Sequence, residues 1–216
     1  MADDEIVLYR ALASRGIVAL WMLEELGLKY RSEMVPMGAG ASSPKLLKVN
    51  PAGRSPTLVD GDVVVSESPA ICIYLADRYG YGILAPKITD PRRGPYLKWM
   101  VYATAVLEPA RELQASTIVP PKNAWGVGWP DLAVIVRELV GALEGRDYLL
   151  GAAFTAADVM LGSVLSTSLY CGLVPDEPVL VAYVERLNKR PAFERAGRLN
   201  WSPELFPPTP NLASAG

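Results

Sequence analysis

The first 35 residues combine two short apolar segments with one helical repeat. Residues 6 to 9 are all apolar, which is typical of a buried strand. From residue 17, apolar side chains recur at helical spacing, and Gly27 is the kind of residue that commonly ends a helix. Residues 30 to 35 alternate loosely between apolar and polar side chains. The pattern predicts a strand, a helix and a second strand.

A hairpin and a further helix are predicted between residues 50 and 80. Pro56 cannot donate to a sheet ladder, so it predicts a strand that starts at residues 57 to 60. An Asp-Gly pair then signals a tight turn into the apolar residues 63 to 65. Ser68 is predicted to cap a helix that Gly80 ends. The free amides at the start of this helix suit a carboxylate ligand.

The second half of the chain is predicted to be helical. Proline and glycine recur between residues 81 and 95, a composition typical of a linker. Four later stretches have helical length and pattern: residues 96 to 116, 129 to 143, 155 to 171 and 179 to 188. Thr155 and Asp158 have the spacing of a capping box, so we assign Asp158 a structural role. Residues 202 to 216 are predicted to form an irregular tail.

Composition narrows the classes of function. The net charge of -2 gives no general attraction for nucleic acid or an anionic membrane. The first residues lack the features of a signal peptide, so we expect a cytoplasmic protein. The chain has 0 histidines, which excludes Ser-His-Asp triads and Cys-His dyads, and we predict no metal site. Cys72 and Cys171 are predicted to be buried free thiols.

Two linked motifs carry a resemblance to a known family. They are Asn50-Pro51-x-Gly53-Arg54-Ser55-Pro56-Thr57-Leu58 and Glu67-Ser68-x-Ala70-Ile71-x-x-Tyr74-Leu75. Together they resemble the glutathione-binding half of a cytosolic glutathione S-transferase. The resemblance implies an α/β thioredoxin-like domain over residues 1–84, a linker over 85–95 and an all-α domain over 96–216 that contributes the electrophile pocket. It also implies a homodimer with a role in detoxification.

The resemblance further implies how such a protein would act. Its co-substrate is glutathione, and it lowers the pKa of the bound thiol so that the thiolate attacks a hydrophobic electrophile. Ser14 looks like the activating serine of bacterial and fungal members, and we favour it for this role. Tyr9 is the competing hydroxyl, because it fits the position of the catalytic tyrosine in animal classes. Gly16 departs from the second serine that such members often carry.

The resemblance also assigns residues to glutathione binding. Ser55, ahead of a cis-proline at Pro56, would pair its backbone with the cysteinyl part of the ligand. Glu67 and Ser68 would receive the γ-glutamyl amine and carboxylate. Arg54 either meets the glycyl carboxylate or is an ordinary surface charge. Six aromatic residues either line the electrophile pocket or belong to the core: Trp99, Tyr102, Trp125, Trp129, Trp201 and Phe206.

Three hypotheses of function stay open at this point. The first is a glutathione transferase that conjugates a hydrophobic electrophile. The second is a glutathione-dependent peroxidase, dehalogenase, etherase or isomerase that uses the same thiolate. The third is a non-catalytic module of the same fold that serves protein association. The paired Glu67 and Ser68 weigh against the third hypothesis, because a purely structural module need not retain ligand-binding groups.

Overall fold

The computed structural model describes residues 5–36, 43–116 and 128–201. They fall into two compact units, one within Met1–Ile71 and Pro191–Gly216 and the other within Cys72–Arg190. The last described helix therefore belongs to the first unit. The domain division at residues 85–95 stays a prediction, and the tail over residues 202–216 lies outside the described residues.

Among its described residues, the first unit is built on a four-stranded mixed sheet with the order β2-β1-β3-β4. The strands are β1 Ile6–Arg10, β2 Tyr30–Met34, β3 Thr57–Asp60 and β4 Val63–Ser66. β1 is parallel to β2 and antiparallel to β3, and β3 is antiparallel to β4. Since two parallel strands need a crossover connection, the helix between β1 and β2 is required by this pairing. The predicted strands and the thioredoxin-like arrangement are confirmed.

In the described part of this unit, four helices lie wholly or in part: α1 Gly16–Leu26, α2 Pro44–Val49, α3 Ser68–Tyr79 and α9 Pro191–Asn200. α1 is buried continuously from its first residue to Leu23 and ends at Gly27, whose φ of 62° is the left-handed conformation that glycine favours. α9 packs on α1, with the rings of Trp21 and Phe193 edge to face at 4.8 Å.

The helix α2 was not predicted from the sequence. It has only six residues, with Leu46 as its buried side chain, so it offers too few positions for a helical period. Its local signals are nonetheless present. The Ser43 hydroxyl accepts a hydrogen bond from the Leu46 amide at 3.4 Å, and Pro44 occupies the first helical position.

The second unit is helical, as the sequence predicted. Its further helices are α4 Arg93–Tyr102, α5 Glu108–Ala115, α6 Leu132–Leu143, α7 Ala156–Tyr170 and α8 Pro178–Asn188. Ala103–Leu107 form a π-helical turn that joins α4 to α5. α7 is the central element, since α4 and α8 both contact it and its first ten residues are buried. The predicted capping box at its start is confirmed.

Two details of the sequence interpretation are wrong. α3 begins at Ser68 itself, and the Ile71 amide donates to the Glu67 carbonyl at 2.9 Å, so Glu67 and not Ser68 takes the capping position. Cys171 is exposed, because it lies where α7 ends, whereas Cys72 is buried as predicted. Among the described helices, none has both the length and the apolar character needed to cross a membrane.

Candidate functional site

The register of the sheet brings the predicted site residues to one end of it. Tyr9 in β1 pairs with Thr57 in β3, and Thr57 pairs with Ser66 in β4. The chain therefore leaves β1, enters β3 and leaves β4 at the same end of the sheet. The connections that carry Ser14, Ser55 and Glu67 all lie at this end.

The turn that enters β3 is held by buried polar side chains. Asn50 donates through Nδ2 to the Thr57 hydroxyl at 2.9 Å and to the Arg54 carbonyl at 3.1 Å. The Thr57 hydroxyl donates to the same carbonyl at 2.7 Å. Only 9% of Asn50 and 0% of Thr57 is exposed, so these bonds lie away from water and fix the turn. The Ser55-Pro56 peptide bond is cis, as the resemblance implied.

Asn50 and Thr57 are functional candidates that the sequence interpretation missed. Both stand inside the motif, yet neither was assigned a task. Asn50 also accepts a hydrogen bond from the Ala52 amide at 3.1 Å through Oδ1, a local Asx pattern that turn chemistry could have predicted. The pairing with Thr57 depends on the folded hairpin, and turn chemistry alone does not reveal it.

The start of α3 presents both an acidic side chain and hydrogen-bond donors. Glu67 is exposed and has a φ of 71°, a left-handed conformation that is uncommon for a residue other than glycine. Ser68 is buried to 5% exposure in the first turn of the helix. The first amides of a helix lack intrahelical acceptors and lie at the positive end of its dipole. This arrangement fits a ligand with an ammonium group beside a carboxylate, and Arg54 is exposed on the neighbouring turn.

Ser14 is half-buried in the loop between β1 and α1, with its hydroxyl in two hydrogen bonds. Oγ donates to the Ala11 carbonyl at 2.7 Å and accepts from the Gly16 amide at 3.1 Å. The hydroxyl therefore satisfies the amide of the first residue of α1. To donate to a thiolate, it must turn its proton away from the Ala11 carbonyl while keeping the bond from Gly16. This turn is a rotation about the Cβ–Oγ bond.

Gly16 is tightly enclosed. A Cβ at this position would lie 2.9 Å from the Cβ of Arg10 and 3.2 Å from Oγ of Ser14. Arg10 is itself buried, its Nε donates to the Ser32 hydroxyl at 2.7 Å, and burial lowers the pKa of its guanidinium. A second serine at position 16 therefore has no room here unless Arg10 shifts. The close packing of Arg10 against Gly16 explains why this chain has glycine where such family members often have a second serine.

Tyr9 lies at the same end of the sheet but in different surroundings. It is half-buried, and it packs against a small apolar cluster of Ala11, Val35 and Leu46. Its ring thus helps to hold α2 and the end of β2 against β1. The six candidate aromatics are less informative: Trp99 and Tyr102 are buried, with ring centroids 5.0 Å apart, whereas Trp125 and Phe206 lie outside the described residues.

Comparison with known proteins identifies the family. A profile of the glutathione S-transferase N-terminal domain matches residues 18–78. Glutathione S-transferase F14 of Arabidopsis thaliana is 30% identical over 215 residues, which cover 89% of this chain and 83% of that protein. Glutathione S-transferase 3 of Zea mays is 32% identical over 195 residues, which cover 81% of this chain and 84% of that protein.

A solved structure agrees with these relatives. The theta class glutathione S-transferase of Xanthomonas axonopodis pv. citri, determined with glutathione bound, is 30% identical with a TM-score of 0.67. The match covers 89% of this chain and 97% of that one. Fold, motif and sequence identity over most of the length lead to one conclusion: the chain belongs to the glutathione S-transferase family.

Proposed function

We propose that this glutathione transferase activates glutathione through the Ser14 hydroxyl, so that the thiolate attacks a hydrophobic electrophile. The observation that carries the proposal is the sheet register, since it gathers the loops of Ser14, Ser55 and Glu67 at one end. A free thiol titrates near pH 8.5, and lowering its pKa by about two units requires roughly 2.7 kcal/mol of preferential thiolate stabilisation. One charge-assisted hydrogen bond beside the positive end of α1 supplies energy of this order.

Glutathione is held by the groups on the other two loops. The Ser55 backbone pairs with the cysteinyl unit as an added strand would. Ser68 and the free amides of α3 receive the γ-glutamyl carboxylate, and the Glu67 carboxylate receives the amine. Arg54 is exposed and can reach the glycyl carboxylate without losing a buried partner. The thiol then lies toward the loop that carries Ser14.

Binding to immobilised glutathione, followed by a conjugation assay with a generic aryl halide, tests this function. Retention on the matrix and turnover together are the expected result. Failure to bind would rule out both the transferase hypothesis and the hypothesis of another glutathione-dependent reaction. Binding without turnover would favour a narrower electrophile or a non-catalytic module, and a substrate screen would then separate the two.

Replacing Glu67 by glutamine is expected to weaken glutathione binding by tenfold or more, because a charge-assisted hydrogen bond contributes about 1.5–3 kcal/mol. Calorimetric titration measures the affinity. Asp62→Asn is the matched control, since it also removes one exposed carboxylate, but from the turn at the opposite end of the hairpin. Equal losses in the two variants would mean that net charge, and not a contact by Glu67, governs binding.

We also propose that the protein is a homodimer. Leu97 and Val101 lie four residues apart on α4, on one face, and are 39% and 50% exposed. Apolar pairs of this kind support a self-association surface. Sedimentation should give twice the 23.3 kDa of the chain, and Val101→Glu should give the monomer. Ile88→Glu, at a side chain 75% exposed outside the helices, should leave the dimer intact. A monomeric wild type would refute the proposal.

The proposed setting is a reducing, cytoplasmic one, with detoxification of electrophiles as the role. Cys171 is an exposed free thiol, a state that persists where glutathione keeps thiols reduced. Burial raises the pKa of Cys72, so that this thiol stays protonated and unreactive. Cys72 therefore does not compete with the glutathione thiolate for the electrophile in this scheme.

A further inference from the structure

The end of α9 is hydrogen-bonded to the loop that carries Ser14. The Ala13 amide donates to the Asn200 carbonyl at 2.9 Å. The Asn200 side chain donates through Nδ2 to the Ser14 carbonyl at 3.4 Å. One residue therefore bonds two consecutive residues of the loop, across a separation of 186 positions in the sequence.

Burial makes the choice of asparagine at this position informative. Asn200 has 0% of its surface exposed, whereas asparagine is among the residues that proteins mostly leave at the surface. A buried amide costs free energy unless its hydrogen bonds are made. Its Oδ1 has no hydrogen-bond partner among the described residues, so the amide is not an optimal stabiliser of the core. A role in holding the loop accounts for its presence better than stability does.

The loop that carries Ser14 needs contacts from another element to keep its conformation. Ala13 has a φ of 49°, in the left-handed region that disfavours a residue with a Cβ. Such a conformation persists only where surrounding contacts determine it. The conformation at Ala13 sets the direction in which Ser14 leaves the backbone. A shift of the loop would therefore turn the hydroxyl away from its path to a thiolate, and displacements of this kind are costly for catalysis.

The position of Asn200 is fixed by the packing of α9. Besides the ring contact between Trp21 and Phe193, Arg195 donates through Nε to the Glu24 carboxylate at 2.6 Å and through a terminal nitrogen to the Glu24 carbonyl at 3.2 Å. These contacts attach α9 to α1 along its length. The helix thus delivers Asn200 to the loop from a rigid support.

We infer that Asn200 is a positioning residue for thiol activation, which holds the Ala13–Ser14 backbone so that the Ser14 hydroxyl can donate to the glutathione thiolate. This inference rests on the proposed function, because Asn200 acts through Ser14. The inference gives α9 a role in thiol activation, through the position of Ser14. The residues that bind glutathione, Glu67 and Ser68, are not involved.

Two variants of the full-length protein test the inference. Asn200→Asp keeps the shape of the side chain but removes the Nδ2 donor, and Asn200→Ala removes the amide without adding a buried charge. The pKa of bound glutathione is read from the ultraviolet absorbance of the thiolate as a function of pH. We expect it to rise by about 0.5–1 unit in both variants, as the loss of one hydrogen bond would produce. The value of kcat should fall, while KM for glutathione changes less than about twofold.

Arg198→Ala is the matched control, because Arg198 is an exposed residue of the same helix whose ion pair with Glu194 involves neither α1 nor the loop. It should leave the thiol pKa unchanged. The inference is overturned if Arg198→Ala shifts that pKa as much as the Asn200 variants do. It is also overturned if the Asn200 variants leave the pKa unchanged while Ser14→Ala raises it, and the proposed function then stands. If Ser14→Ala has no effect either, both fail.

Discussion

Replacing Ser14 by alanine is expected to raise the pKa of bound glutathione by about two units and to lower kcat/KM at neutral pH by roughly 100-fold. In the proposed mechanism this hydroxyl donates to the thiolate, and residues 11–15 before α1 contain no other hydroxyl. Because the chemical step needs the thiolate, the pH profile of kcat/KM should move to higher pH by the same amount. At a pH above the raised pKa, the activity of the variant should approach that of the wild type.

The effect of Ser14→Ala on the stability of the fold can be measured separately. Ser14 accepts a hydrogen bond from the Gly16 amide at 3.1 Å, so the loss of this bond should also cost about 1 kcal/mol of stability. A urea titration gives this value. Glutathione affinity should change little, since the proposed contacts of the γ-glutamyl groups are with Glu67 and Ser68. A 100-fold loss of activity in a folded, glutathione-binding variant therefore reports on thiol activation.

Tyr9→Phe distinguishes the two candidate hydroxyls. Tyr9 packs against Ala11, Val35 and Leu46, and phenylalanine keeps that packing. We expect the thiol pKa and kcat/KM to stay within about twofold of the wild type, because the ring and not the hydroxyl makes these contacts. A raised thiol pKa in Tyr9→Phe, with Ser14→Ala unchanged, would transfer the activating role to Tyr9.

Local signals were sufficient for the strands and for most helices. Pro56, the Asp-Gly turn and Gly27 each predict an element boundary from one or two residues, and the structure places all three as expected. The family motif additionally predicted glutathione as the ligand and a thioredoxin-like domain as the fold. The hairpin turn also sets the pairing of β3 with β4. The pairing of β1 with β3, which brings the Ser14 connection to the same end, is not set by any local turn.

Contacts between distant residues could not be predicted in this way. Asn200 was assigned no role from the sequence, and only the folded chain brings it to Ser14. The bond between Asn50 and Thr57 needs the closed hairpin, and the crowding of Gly16 by Arg10 needs the packed sheet. In each case the informative quantity is a distance between atoms that only the folded chain brings together, and no local pattern encodes it.

The largest effect on stability is expected from Asp158→Asn, which should lower the free energy of unfolding by about 3 kcal/mol. Asp158 is 0% exposed, and its carboxylate accepts four hydrogen bonds. The donors are the amides of Leu149 and Thr155 and the hydroxyls of Thr155 and Tyr183, at 2.8 to 3.1 Å. Burial raises the pKa of this carboxyl, and the four donors act in the opposite direction by stabilising its charge.

Asparagine cannot replace this carboxylate, because its amide group is itself a donor and would face an N–H or O–H that already donates. At least one buried donor then loses its acceptor, and that loss, not the change of net charge, destabilises the fold. Asp147→Asn is the control, since Asp147 lies nearby in sequence with a side chain 62% exposed, 3.6 Å from Arg186. This exposed pair should contribute less than about 0.5 kcal/mol. Urea unfolding of both variants measures the difference in their free energies of unfolding. If Asp158→Asn costs as little as Asp147→Asn, water can replace the hydrogen bonds of the capping box.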